Sequence, residues 1–359
     1  MANSIITQSL DSIFAGSAIG SLDKALSNNI RGFNALQTAN AVTKNLDHQG
    51  YLFVTRPQLN MQKDNLRNFA PLYGLLNDDP NSAGLAVRSL LDPRIGAGYR
   101  YSVGKGIEDK FVAPLLCNLV DNQNAFIPFV TNNVINSTGW GDKTLGLTST
   151  DPGLYKQTYT FVDGISRNYG EWDLTINLQN VAGDLSVALF SALLDYSSAV
   201  KEELMTPYFD YLINNRVDYN LRAYRIIVDK NKEYVTKIMA PAAMTCTSVP
   251  FGMFGDFDRN TPFSEQTKEL SFRFRCIAQL NNDPRLIGSF NGTVRAFNPA
   301  MADNMREQWM TLVPRRLLQR FQAFVYPRIN PSTLRFEWWT FSEHYSYVMS
   351  KDQSSFAEN

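Results

Sequence analysis

Apolar and polar positions alternate most regularly between residues 155 and 291, and that stretch predicts the centre of the fold. Trp172, Leu174, Ile176 and Leu178 interleave with Asp173, Thr175 and Asn177, the period of a half-buried strand. Leu270, Phe272, Phe274 and Cys276 interleave with Ser271, Arg273 and Arg275. This strand is expected to turn its phenylalanines inward and its arginines to the opposite face. Tyr155 to Val162 is rich in β-formers and ends at the turn pair Asp163-Gly164. Leu221 to Val228 and Val235 to Met239 flank Asp229-Lys230-Asn231-Lys232, a hairpin signal. Between these strands Asp184 is placed as the N-cap of a helix from Leu185 to about Met205, ended by Pro207. Leu185, Leu189, Leu193 and Tyr196 share one face of it, and Val187, Phe190 and Leu194 spread round the rest. A helix apolar nearly all round is buried on several sides, within its own chain or against a neighbour.

The pattern on either side is weaker. Ile6, Leu10 and Phe14, then Leu22, Leu26, Ile30 and Phe33, fall at helical spacing among Ser, Ala and Asn. They read as an arm that docks on a neighbouring subunit or as helices packed on their own domain. Tyr51 to Thr55 predicts a strand stopped by Arg56-Pro57. Asp64 to Leu76 predicts a helix kinked at Pro71, and Ser82 caps a second helix ending at Asp92-Pro93. Gly96 to Gly106 reads as a flexible loop, Phe111 to Val120 as a buried helix and Ala125 to Val130 as a short strand. Thr131 to Gly153 reads as a long loop of the kind that becomes a contact in an assembly. Asp283-Pro284 is expected to open another loop, Asn304 to Gln322 to be helical with a break at Pro314, and Leu334 to Phe341 to be an aromatic strand before a frayed polar end. The expected division is an arm over 1–48, a mixed helical and loop region over 49–150, a β core with its helix over 151–300, and a C-terminal helix and aromatic strand over 301–359.

Composition narrows the function classes. The chain has 359 residues, 44% hydrophobic and 19% charged, enough for a large core under a lightly charged surface. Thirty-four basic residues balance thirty-four acidic ones, so no net field draws nucleic acid or an anionic membrane. Aromatics at 12% suit large buried surfaces, within or between chains. Cys117, Cys246 and Cys276 are too few and too far apart for a disulfide framework or a zinc site. No basic segment leads into an apolar one at the N-terminus, and no apolar run is long enough to cross a bilayer, so folding in the cytoplasm is expected.

Candidate chemistry is sparse. Gly98 to Gly106 approaches a phosphate-binding loop, but it has one residue too many between Gly98 and Gly104. Gly106 also stands where Ser or Thr would hold magnesium. Gly96-Ala97-Gly98 lacks the third glycine of the dinucleotide fingerprint, because Tyr101 occupies its place. His48 and His344 are the only histidines, with no metal-ligand spacing around either. Carboxylates are scattered, and Arg315, Arg316 and Arg320 make only a small basic patch. No catalytic residue, cofactor site or metal site is therefore assigned.

Leu52 to Asn60 reads LFVTRPQLN and is similar to the LFFTRPDLN opening of virion structural proteins of large-genome tailed bacteriophages. The resemblance continues at Trp172-Asp173-Leu174-Thr175, Asn215 to Asn220, Ser248 to Gly252 and Asn281-Asn282-Asp283-Pro284. The order of strands and capped helix also resembles the phage tail-tube fold. The resemblance implies an α+β protein: an antiparallel β-sandwich core of tail-tube type with a flanking helix, plus a helical N-terminal arm and added lobes. The implied role is non-enzymatic and structural, in a contractile tail, as a baseplate or tube-initiating ring protein. The implied partners are copies of itself, neighbouring tail proteins and passing DNA, with no membrane and no cofactor. The implied location is the virion tail, with assembly in the host cytoplasm. The extra length over a minimal tube subunit favours a specialised ring over a simple repeating tube. Head–tail joining or a capsid-associated role is the structural alternative, and a soluble enzyme with a hidden carboxylate pair is the alternative of another class. The oligomer-interface candidates are Ile6, Leu10, Phe14, Leu22 and Leu26 in the arm, and Arg273 and Arg275 on the amphipathic strand.

Overall fold

The computed structural model describes residues 47–97, 99–102, 109–112, 114–164, 170–214, 216–321 and 323–357. Ile6, Leu10, Phe14, Leu22 and Leu26 lie outside the described residues. His48–Asn359 forms one compact unit, separate from the residues before it in the chain. The described strands, in chain order, are β1 (His48–Val54), β2 (Tyr99–Ser102), β3 (Asp109–Val112), β4 (Val134–Thr138), β5 (Leu147–Ser149), β6 (Thr160–Val162) and β7 (Glu171–Gln179). They continue with β8 (Ala223–Val228), β9 (Val235–Ser248), β10 (Glu269–Asn281), β11 (Met310–Leu312), β12 (Tyr326–Ile329) and β13 (Phe336–Phe341). The helices used below are α1 (Ala83–Leu91), α2 (Pro128–Asn133), α3 (Leu185–Lys201), α4 (Pro284–Phe297) and α5 (Ser342–Ala357).

Six strands form one antiparallel sheet in the order β1–β8–β9–β10–β7–β4. Its two outer strands are linked by a short path. Thr55 bridges Phe126, the Ile127 amide donates to the Val54 carbonyl at 2.8 Å, and α2 then leads directly into β4 on the opposite edge. The sheet is nearly barrel-shaped. The fold is thus a mixed helix-and-sheet structure around a large antiparallel sheet.

Two cores flank it. In the first, Leu174, Ile176 and Leu178 of β7 and Leu270, Phe272, Phe274 and Cys276 of β10 are buried under α3. Phe190 of α3 places its ring 4.8 Å from that of Phe272 and 5.3 Å from that of Phe274. In the second, Phe53, Tyr224, Ile226 and Ile238 meet Leu286, Phe290 and Val294 of α4 and Phe336 of β13. Strands β9 and β10 serve both. Ile238, Ala240 and Leu280 belong to the second core, whereas Met244, Cys246 and Phe274 belong to the first. The change falls where Gln279 pairs Pro241 and Ile277 pairs Ala243. Pro241 has no amide to give there, and Ala278 takes a left-handed φ of 52°.

The structure departs from the sequence pattern at identifiable points. Asp184 adopts a left-handed φ of 49° and its carboxylate accepts from the Asn180 amide, not from the helix. Side-chain capping needs an extended residue at that position. Helix α3 stops at Lys201, well before Pro207. The Leu204 amide reaches the Ala199 carbonyl at 2.9 Å and the Glu203 amide the Val200 carbonyl at 3.2 Å, with Glu203 at a φ of 61°. This is a Schellman end with Glu where Gly is usual. Asp283-Pro284 starts helix α4 and not a loop: Asp283 accepts from the Arg285 amide at 2.9 Å and Pro284 fills the first helical position. Asn304 to Gln322 breaks into a short helix (Arg306–Trp309), strand β11 and a 3-10 turn (Arg315–Arg320). The described part of Gly96 to Gly106 holds strand β2, paired with β3, in place of a flexible loop. Asp109–Val112 being β3, the expected helix from Phe111 is absent, and 114–120 is irregular. The long loop from Thr131 supplies β4 and β5, and the C-terminal end continues as α5.

Candidate assembly surfaces

The stretches that carry the sequence resemblance are mostly fold determinants. Arg56 is 4% exposed, and its guanidinium donates to five main-chain carbonyls. Two of these, Ser89 at 2.6 Å and Leu90 at 3.2 Å, end α1; the others are Asp121, Asn122 and Asn124. Burial pushes its pKa down to about 10, so it stays charged at neutral pH. A planar fork with several donors suits a site where loop carbonyls converge. Asn60 donates to Thr206 at 2.9 Å. The buried Asp92 accepts from the Met61 amide, the Arg94 amide and the Tyr208 hydroxyl. Burial lifts its carboxyl to about 6 against those three donors. Asn282, at a left-handed φ of 51°, exchanges hydrogen bonds with the Ile238 main chain, donating from its own amide at 2.8 Å and accepting at its side chain at 3.1 Å.

The outward face of the sheet is polar. Arg273 lies opposite Thr175, and Arg275 opposite Asp173 and Thr245. Arg275 pairs with Asp173 at 2.8 Å and reaches Glu171 at 3.5 Å. Arg273 has no carboxylate partner among the described residues, so of the two arginines it is the one with its charge uncommitted. Phe272 and Phe274 point the other way, 0% and 1% exposed, as the alternation predicts.

A second surface is a ribbon whose first half lies in the long loop, Thr131 to Gly153, that the sequence marks as a contact. From 142 to 163 every residue is exposed. Leu147 pairs Val162, Thr148 pairs Phe161 and Ser149 pairs Thr160. The base is held by the Asp163 and Gly164 amides on the Gly146 carbonyl. Gly146 and Gly164 touch so closely that a Cβ on either would meet the other's Cα within 3.0 Å. Tyr155 to Val162 was expected to be a core strand, yet only Thr160–Val162 is extended, and Leu154 and Tyr155 are 91% and 85% exposed. An isolated two-stranded ribbon is marginal in water, and this one leaves Leu154, Tyr155, Tyr159, Phe161 and Val162 exposed. Turn signals at Gly146, Pro152-Gly153 and Asp163-Gly164 frame it in the sequence.

Among the described residues no cluster of His, Cys, Asp and Glu could hold a metal ion, and no helix is long and apolar enough to cross a membrane. No curated protein matches the chain. Among solved structures, the tube-terminating cap of the anti-feeding prophage is similar at 9% identity and a TM-score of 0.27, over 44% of this chain and 81% of that one. The sheath/tube terminator of PVC, an extracellular contractile injection system, in its extended state is similar at 10% identity and a TM-score of 0.24, over 44% and 88%. Neither similarity bears on function at those scores. A family model described as putative phage tail tube protein matches residues 3–355.

Proposed function

Since the chain belongs to the family of putative phage tail tube proteins, we propose that it is a non-enzymatic, ring-forming subunit of a contractile phage tail, at the baseplate or the start of the tube. Family membership makes it a structural component of the virion tail. The finer reading rests on the ribbon. A chain that leaves Leu154, Tyr155 and Phe161 in water is built to have them covered. In a ring, the curled sheet with α3 across it takes the part of the tail-tube core, and residues 301–359 the part of an added lobe. The outward face with Thr175, Thr245 and Arg273 suits a channel wall: polar enough to stay wet, too weakly charged to hold passing DNA. Residues 1–48 supply a further contact through Ile6, Leu10, Phe14, Leu22 and Leu26. Assembly takes place in the host cytoplasm.

The experiment is negative-stain microscopy and light scattering on the purified full-length chain. Rings or stacked rings are expected. Removal of residues 147–162, joining Gly146 to Asp163, is expected to leave a cooperative melt and lose assembly. A chain lacking the first 45 residues is also expected to melt cooperatively and to assemble poorly. A wild-type chain that stays monomeric at high concentration, or turns over a substrate, overturns the reading.

A further inference from the structure

The ribbon needs a surface to cover it, and the described residues offer a groove of suitable character. It measures about 350 Å³ and runs between α3 and the turn Ala70–Leu76. Leu72, Leu75, Val187 and Ala192 give it apolar walls, and Phe251 and Phe254 close one side. Its only charged lining residues are carboxylates, Asp184 and Asp195, with no lysine or arginine among the lining residues. Asp195 is half-buried on α3 and has no ion-pair partner among the described residues. Burial raises its pKa, and the Ser191 hydroxyl one turn back offsets this only in part. Such a groove favours an occupant with apolar side chains and one cation.

The ribbon tip has that composition. Between Pro152 and Val162 the only charged residue is Lys156. It follows Leu154 and Tyr155 at the apex. The apex is already shaped: the Gly153 amide donates to the Gln157 carbonyl at 2.9 Å, the Lys156 amide to the Gly153 carbonyl at 2.9 Å, and Lys156 sits at a left-handed φ of 60°. A preformed turn loses less entropy on docking than a free loop. Because Leu154 and Tyr155 stand in solvent, the tip does not fill the groove of its own chain.

We propose that the ribbon tip of one copy, Leu154 to Lys156, seats in the groove beside α3 of a second copy, with Lys156 against Asp195. The proposal rests on the self-assembly reading above and names the partner surface of the ribbon. Tip and groove are different patches, so the contact is heterologous and passes from copy to copy until a ring closes or a stack grows.

The test uses the full-length chain in two ways. Lys156→Glu and Asp195→Lys, each alone, are expected to weaken assembly by about tenfold or more in apparent affinity, and the double exchange to restore it. Their melting temperatures are expected to match wild type, which separates lost docking from lost fold. In parallel, Tyr155→Cys and Ser191→Cys proteins are mixed under mild oxidation. Cys117, Cys246 and Cys276 are buried, so the native thiols stay out of the reaction. Disulfide-linked pairs are expected only in the mixture. Assembly that ignores both charge changes, together with no cross-link, overturns the groove assignment and leaves the assembly reading standing. A cross-link from Leu10→Cys in place of Tyr155→Cys gives the groove to the N-terminal arm and overturns the assignment equally. A monomeric wild-type chain overturns both readings.

Discussion

The Tyr196 hydroxyl donates to the buried Asp218 carboxylate at 2.6 Å while accepting from the Asn60 amide at 3.2 Å. One phenol on α3 therefore joins the LFVTRPQLN stretch to the segment leading into β8. Burial, Asp218 and the hydrogen bond all hold the phenol in its protonated, donating form. Tyr196→Phe keeps the ring and strands an acceptor and a donor, so it should cost about 1–3 kcal/mol. Urea unfolding monitored by fluorescence checks this. A midpoint equal to wild type would show that water replaces the hydroxyl.

Arg56 offers a sharper case, because its hydrogen-bond acceptors are all main-chain carbonyls. Lysine keeps the charge but cannot satisfy the same set from one ammonium. Arg56→Lys should lose about 2–4 kcal/mol, from two or more buried acceptors left without donors. The measurement is the same unfolding curve, with an unchanged slope as the sign that the fold is otherwise intact.

Asp92 should shape the pH dependence. Its folded pKa of about 6 lies above that of an unfolded aspartate. Between about pH 4 and 6 the folded state then binds more protons than the unfolded one, so this residue's contribution to stability falls as pH rises through that window and is level above it. Burial raises Asp218 and Asp195 in the same sense. Arginine partners lower Asp210 and Asp303, whose contributions are lost as pH falls further. Relative to Asp92→Asn, wild type should gain up to about 3 kcal/mol on going from pH 7 to pH 4. Paired denaturation curves at several pH values check the sign, and a constant difference would refute it.

On β10 the two faces should respond differently. Phe272→Ala removes a fully buried ring against Phe190 and should cost about 3–5 kcal/mol. Arg273→Ala, on the solvent side, should change stability by less than about 0.5 kcal/mol. Its effect, if the face is an interface or channel wall, appears in particle assembly and not in the melt.

How much was legible varies with what holds each element. Strand β10 was readable because one face is buried and the other wet, which writes a period of two into the sequence. Strand β4 was not. Asn136, Ser137 and Thr138 have no such contrast, and they are extended because β7 supplies their hydrogen bonds. Helix α4 was hidden by Asp283-Pro284, a pair that opens a turn or a helix equally well, although Leu286, Phe290 and Val294 repeat every four residues behind it. Of the ribbon, 131–153 reads as a contact-forming loop and Tyr155 to Val162 as a strand, but Tyr159 and Phe161 would look the same in a core; only the fold shows that they are exposed. The polar contacts of Arg56 and Asp92 were invisible, since most of their partners are main-chain amides and carbonyls, which no residue type announces.

The passage of β9 and β10 through both cores has a mechanical side. A tension that tries to draw the α3 half of the molecule away from the α4 half runs along two long neighbouring strands, each of which passes through both halves. The load then falls on the covalent main chain of both strands and does not depend on side-chain identity. A chain of this build carries a pull between its two cores along main chain that runs unbroken from one to the other.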